Sequence, residues 1–266
     1  LKLRDELGRI VHSFLRAQAP RLARQIAALR SRVGKAELSQ DELDALDQVI
    51  AGVDFAGWSI LVGDIDGVLE ELVKDGGYAA LSQVGIDVAA EEGLSGEVSD
   101  FALDYARERA AELVGRRYDE LGRLVDNPRA EWAITEPTRD FLRSSVSDAI
   151  AEGWSNDKLA QAIEDSYGFS EERAQVIART ETQMAANAGA VQGYRASGVV
   201  AAKQWVTAQD DLVEEECLDN AAAGPDQDGV LALDADYPSG DEAPPAHPNC
   251  RCVIVPIVTF EETQQE

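Results

Sequence analysis

The chain has 266 residues, 45% of them hydrophobic and 28% charged, which is enough apolar content for real cores and excludes a disordered protein. Its formal net charge of −26 sets most of the molecule against nucleic acid and other acidic surfaces. No run approaches the ~18 consecutive apolar residues of a membrane span, and no basic-apolar-small signal pattern opens the chain, so the expectation is a soluble protein with no membrane partner. The first residue is Leu1, not Met, which leaves the natural start open.

Charge is unevenly distributed. Residues 1–35 hold nine Lys or Arg and two Asp or Glu, a balance of +7, whereas the other 15 basic and 48 acidic residues sum to −33. Leu3, Leu7, Ile10 and Phe14 recur at three-and-four spacing and predict an amphipathic helix. Pro20 then begins a second stretch marked by Leu22, Ile26, Leu29 and Val33, with Gly34 placed to end it. Arg16, Arg21, Arg24, Arg30 and Arg32 make this arm the candidate contact for an acidic partner or for DNA phosphates. Ser39 followed by Glu42 reads as a capping box opening a third helix through Leu43, Leu46, Val49 and Ile50.

From Gly52 to Gly96 glycines multiply, and short helices at 68–73 and 78–84 joined by turns are expected. A helical rhythm through Phe101, Tyr105, Leu113 and Leu121 closes at Asp126-Asn127-Pro128, where a domain junction is placed. Three helices follow, at 138–152, 155–166 and 170–196, with Ser155 or Asn156 capping the second. Strands are expected at 203–206 and 251–258, separated by an irregular loop at 207–249 long enough to need a clamp. The fold class is therefore α+β and mainly α: a helical region 1–128 with its basic arm 1–35, a domain of three helices, short strands and a long pinned loop at 129–258, and a tail 259–266.

The segment 243–252, APPAHPNCRC, gathers two of the three cysteines and one of the two histidines. Its prolines fix φ and stiffen the turn, and residues two apart in an extended chain point the same way. Cys250 and Cys252 thus present sulfur to one side, with His247 nearby, and Cys217 is the remaining soft ligand for a tetrahedral zinc site. A disulfide from Cys217 to Cys250 or Cys252, and plain apolar packing, are the other readings of the same residues. On the third of these helices, Ala174, Ile177, Met184, Ala188 and Val191 form an apolar stripe whose missing position is Glu181. A buried unpaired carboxylate is costly, so Glu181 is expected in a structural ion pair with another segment, Arg179 pointing elsewhere.

Taken in order, Ile177-Ala178-Arg179-Thr180-Glu181, Gly198 with Lys203 and Trp205, Cys217 and the closing His-Pro-Asn-Cys-Arg-Cys resemble the C-terminal domain of the phage Mu F-type minor head proteins, the phage head morphogenesis family, over about 138–255. The family pattern carries Cys-x-x-Cys after the Trp; here Glu214 stands in the first position, which makes it a possible oxygen ligand beside Cys217, His247, Cys250 and Cys252. The resemblance implies a non-enzymatic virion component acting during head assembly in the host cytoplasm, at the portal vertex or capsid interior. Its implied partners are the portal protein, the major capsid protein and, through the basic arm, packaged DNA, with a homo-oligomer around the portal as one arrangement. Two other classes share these residues: a metal-dependent hydrolase or nuclease, disfavoured because four protein ligands close a zinc site, and a toxin-delivery or interaction module.

Overall fold

The computed structural model of the chain describes residues 1–33, 50 and 55–258. Its α-helices are α1 (Lys2–Val33), α2 (Ser59–Gln83), α3 (Glu92–Leu113), α4 (Thr135–Ala151), α5 (Asn156–Glu164), α6 (Glu171–Ser197) and α7 (Glu215–Ala221). The strands are β1 (Arg116–Tyr118), β2 (Leu124–Asp126), β3 (Val200–Val206), β4 (Val230–Ala232) and β5 (Val253–Val258). The fold is thus mainly α with short strands, as expected. No helix among the described residues is long and apolar enough to cross a membrane.

Two compact units interleave along the chain. One takes residues 5–66 and 107–175; the other takes 1–4, 67–106 and everything from 176 onward. The junction expected near 128 marks no break between them, since 107–175 is one stretch of the first.

In the first unit, α1 buries Leu7, Val11, Phe14, Leu15, Ala19, Leu22, Ala23 and Ile26, a face with helical spacing throughout. Pro20 was expected to start a new helix, yet it lies inside a continuous one. An interior proline removes one backbone bond and costs about 3 kcal/mol; burial of the apolar face on both sides of it outweighs that. Phe14 and Phe55 both meet Trp58 edge-on, at 5.2 and 4.6 Å. The arginine-bearing segment is therefore a core helix and not a loose arm. Gly34 and the helix expected to begin at Ser39 lie outside the described residues, apart from Ile50, which is buried.

The helical rhythm expected to reach Leu121 stops at Leu113. A β1–β2 hairpin follows, pairing Arg116 with Asp126 and Tyr118 with Leu124. Asp119 caps its tip by accepting the backbone N–H groups of Leu121 and Arg123, each at 2.9 Å. Helix α5 begins as expected, with Ser155 accepting the Lys158 N–H at 3.1 Å. Arg173 at the start of α6 is buried and donates to the carbonyls of Gly168 and Ile134 and to Thr138 Oγ1, tying α4 to α6.

In the second unit, the two short helices expected at 68–73 and 78–84 are one, α2, which runs through Gly76 and Gly77. These glycines serve close approach, not turning. A methyl on Gly76 would stand 2.1 Å from the Ala186 carbonyl oxygen, and one on Gly189 would stand 2.0 Å from that of Val73. Gly193 likewise faces the Gly77 carbonyl. Helices α2 and α6 therefore touch backbone to backbone. Beside them lies an antiparallel sheet in the order β4-β3-β5, whose central strand pairs Lys203 with Leu231 on one side and Trp205 with Ile254 on the other.

Candidate metal centre and the turn that carries it

The 207–249 segment, expected as irregular, contains α7 and β4, and α7 carries Cys217 into the core. All three cysteines are free and buried, packed with Tyr194, Trp205, Tyr237, Ala246 and Ile254. The turn that brings the histidine to them follows from its sequence. The Cys250 N–H reaches the His247 carbonyl at 3.2 Å, Pro248 sits at the second position, and Asn249 takes φ 64° at the third. Proline followed by a left-handed asparagine is the pattern of a type II turn, which brings residues i and i+3 together. That geometry sets His247 beside Cys250.

The side-chain donor atoms of Cys217, His247 and Cys250 lie within 4.8 Å of one another. The Cys217 and Cys250 sulfurs are 3.5 Å apart, close to the ~3.8 Å edge of a tetrahedron with Zn–S bonds of about 2.3 Å. The His247 Nδ1 lies 3.0 Å from the Pro248 carbonyl oxygen. Donation there leaves the Nε2 lone pair for a ligand, the arrangement that metal-binding histidines use. The Cys252 thiol hydrogen-bonds both other sulfurs but stands outside the trio. Cys250 and Cys252 are both buried with Arg251 exposed between them, as the alternation argument expected, and the turn adds His247 beside Cys250. Glu214 is exposed at the N-cap of α7 and is not part of the trio.

Protons are shared unevenly among the sulfurs. The bond from the Cys252 thiol, helped by the backbone N–H groups of Cys252 and Ala246, brings Cys250 down to about 5. Burial pushes Cys217 up to about 12, and donation to Cys250 pushes Cys252 upward. A thiolate thus stands ready among two thiols, a donor set suited to a soft metal that displaces the remaining protons. The buried indole Nε1 of Trp205 makes no conventional hydrogen bond, and it acts on Cys252 in the sense that favours the thiolate. An orphaned N–H beside a cysteine sulfur fits a site in which that sulfur carries negative charge.

Helix α6 holds the turn from the other side. Thr180 Oγ1 accepts the Asn249 N–H at 2.9 Å, Gln183 donates to the Cys252 carbonyl, and Asn187 donates to the Pro244 carbonyl at 2.7 Å. Residues 180, 183 and 187 share one helix face, so the Ile-Ala-Arg-Thr-Glu segment and the His-Pro-Asn-Cys-Arg-Cys segment are two halves of one bonded structure. Gln183 and Asn187 had no place in the sequence reading; their polar three-and-four spacing was the available signal. Glu181 is buried, as expected for the stripe, but its neighbours on the buried line are Ala178 and Ala185, with Ile177 and Met184 half-buried and Arg179 exposed.

Lys203 is fully buried, donating to the Leu233 carbonyl at 2.6 Å and lying 3.9 Å from Glu242. Burial holds its pKa below 10.5. Trp205 stacks edge-on against Tyr237 at 5.0 Å, so the family-like Lys-x-Trp pair anchors the 230–242 segment to β3. Of the arginines singled out on α1, Arg16, Arg21 and Arg24 are exposed, and Arg21 lies over Gly57; the side chains of Arg30 and Arg32 fall outside the described residues.

No curated protein and no solved structure matches the chain. Residues 140–255 match the family described as Phage Mu protein F like protein, a phage head morphogenesis family.

Proposed function

We propose that the protein is a structural minor head component of a tailed phage or phage-like particle, engaged at the portal vertex or the capsid interior while the head assembles. The observation that carries this reading is the family match over 140–255, within which the α6 ladder of Thr180, Gln183 and Asn187 bonds to the closing turn at 244–252. Portal protein and major capsid protein are the proposed partners, with copies of this chain arranged around the portal. The exposed Arg16, Arg21 and Arg24 supply a contact for an acidic protein surface or for DNA entering the head. Arg30 and Arg32 continue that basic segment in sequence.

The proposed metal is zinc, held by Cys217, His247, Cys250 and Cys252. Bound there it would cross-link α7 to the turn and stabilise the domain without opening a coordination position for chemistry.

Peptide mass spectrometry of purified particles, counting this chain against shell and portal proteins, tests the assignment. A few to a few dozen copies that vanish from portal-less particles are expected; absence from particles at every assembly stage would sink it. Because α1 supplies core residues, the basic contact is tested by charge reversal: the R16E/R24E variant should fold yet enter heads several-fold less. Unchanged incorporation would remove that contact from the proposal.

A further inference from the structure

Arg251 stands between two of the cysteines, and its surroundings join both segments that carry the centre. Cys250 and Cys252 point inward and are buried, whereas Arg251 points outward. Its guanidinium forks onto Asp210, with Nη1 at 2.5 Å from Oδ2 and Nη2 at 2.6 Å from Oδ1. The same Oδ1 accepts the Leu212 N–H at 3.0 Å, and the Asp210 carbonyl accepts that of Val213 at 3.3 Å. Asp210 thereby shapes the turn at 210–213 that leads into Glu214 and the helix bearing Cys217. Leu212 and Val213, with Arg251, wall a small cavity that reaches Cys217, His247 and Cys252.

We propose that the Asp210–Arg251 pair is a positioning latch for the cysteine–histidine centre: it pins the 207–213 segment across the turn and sets how fast a soft metal ion, or any thiol reagent, reaches the sulfurs. This rests on the metal reading above only for the identity of the ion. A single exposed ion pair contributes little, but a two-pronged arginine–carboxylate fork between segments 41 residues apart is the geometry in which such a pair has force. Neither residue is a ligand, so neutralising one leaves the donor set whole. The fork also fixes the direction of the backbone between Cys250 and Cys252. Asp210 lies well below the usual carboxylate range because the Arg251 bond favours its charged form, in keeping with a closed latch at neutral pH.

The test uses the full chain in two forms. In protein loaded with zinc and shown to hold one ion per chain, transfer of zinc to a coloured chelator is timed. Asp210→Asn should release it roughly five- to tenfold faster at unchanged stoichiometry, and the charge swap Asp210→Arg with Arg251→Asp should restore most of the slow rate. In metal-free protein kept reduced, iodoacetamide labelling of the three cysteines, read by mass spectrometry, should accelerate by a similar factor in Asp210→Asn and recover in the swap. If the wild type holds no zinc but labelling follows this order, the latch stands and the metal reading falls. If labelling and release in Asp210→Asn stay within twofold of wild type, the latch is overturned whatever the metal result.

Discussion

Tyr194 and Lys203 sit in the core around the cysteines and respond to alkali in opposite senses. Burial raises Tyr194 from 10.0 to about 12, so its contribution to stability is full below pH 10 and is lost as pH rises through about 12. Lys203 is shifted the other way: the cost of charging it in the core is full below its lowered pKa and disappears as pH approaches 10.5. Tyr194→Phe forfeits the bond to Gln83 and should lose about 1 kcal/mol at pH 7 in urea unfolding, yet decline less than wild type between pH 10 and 12. Lys203→Met leaves the Leu233 carbonyl without its donor and should cost about 1–3 kcal/mol at pH 7, a gap that widens as pH rises. A gap that narrows with pH would mean that the folded protein holds the Lys203 proton more tightly than the unfolded chain does, the reverse of a burial-lowered pKa. Cys250→Ser should abolish stoichiometric zinc binding, and retention of one ion per chain would remove Cys250 from the ligand set. At this scale the sequence was legible wherever a residue type had one job: Glu181 was placed on the buried line by spacing alone, and the cysteines and His247 by their rarity.

Glycine separates the two fates an element can have. Gly189 and Gly63 both lie within helices, and alanine is the better helix former at either by about 1 kcal/mol. At Gly63 no atom lies within 4 Å of the added methyl, so Gly63→Ala should stabilise the chain by about 0.5–1 kcal/mol in thermal or urea melts. At Gly189 the methyl meets the Val73 carbonyl at 2.0 Å, and Gly189→Ala should destabilise by about 2–4 kcal/mol as α2 and α6 are forced apart. Equal effects at the two sites would contradict the backbone contact. The turn at 247–250 offers a parallel test, since Asn249 holds φ 64°: Asn249→Gly should keep zinc affinity while Asn249→Val, strained there, should weaken it at least tenfold. These elements also show why the reading at 52–96 went astray. Glycine signals a turn and a close helix contact with the same letter, and only the partner helix, 110 residues further on, distinguishes them.

Across the whole molecule the compact units do not follow chain order, and that bears on where the family-like domain can be cut. A fragment 129–258 would keep the sheet, the cysteines and α6, but would lose the α2 residues whose backbone packs on Ala186, Gly189 and Gly193. We expect it to fold with a Tm lower than the full chain's by roughly 5–10 °C; an identical Tm would show that 129–258 is autonomous. The boundary near 128 falls inside the 107–175 stretch of one compact unit, and the family match begins only at 140. What the sequence determined by itself was local or compositional: the mainly helical class, the cap at Ser155, strands near 203–206 and 251–258, and the family motifs, all set by periodicity, turn chemistry and residue type within a few positions. Tertiary structure alone decided the continuity of α1 through Pro20 and of α2 through its glycines, because burial and backbone contact outweighed the local breaking tendency of those residues. It also decided that Cys217 meets His247 and Cys250 and that the α6 polar ladder binds their turn. Those pairings join residues 30 to 70 positions apart, and no local rule reaches across that distance.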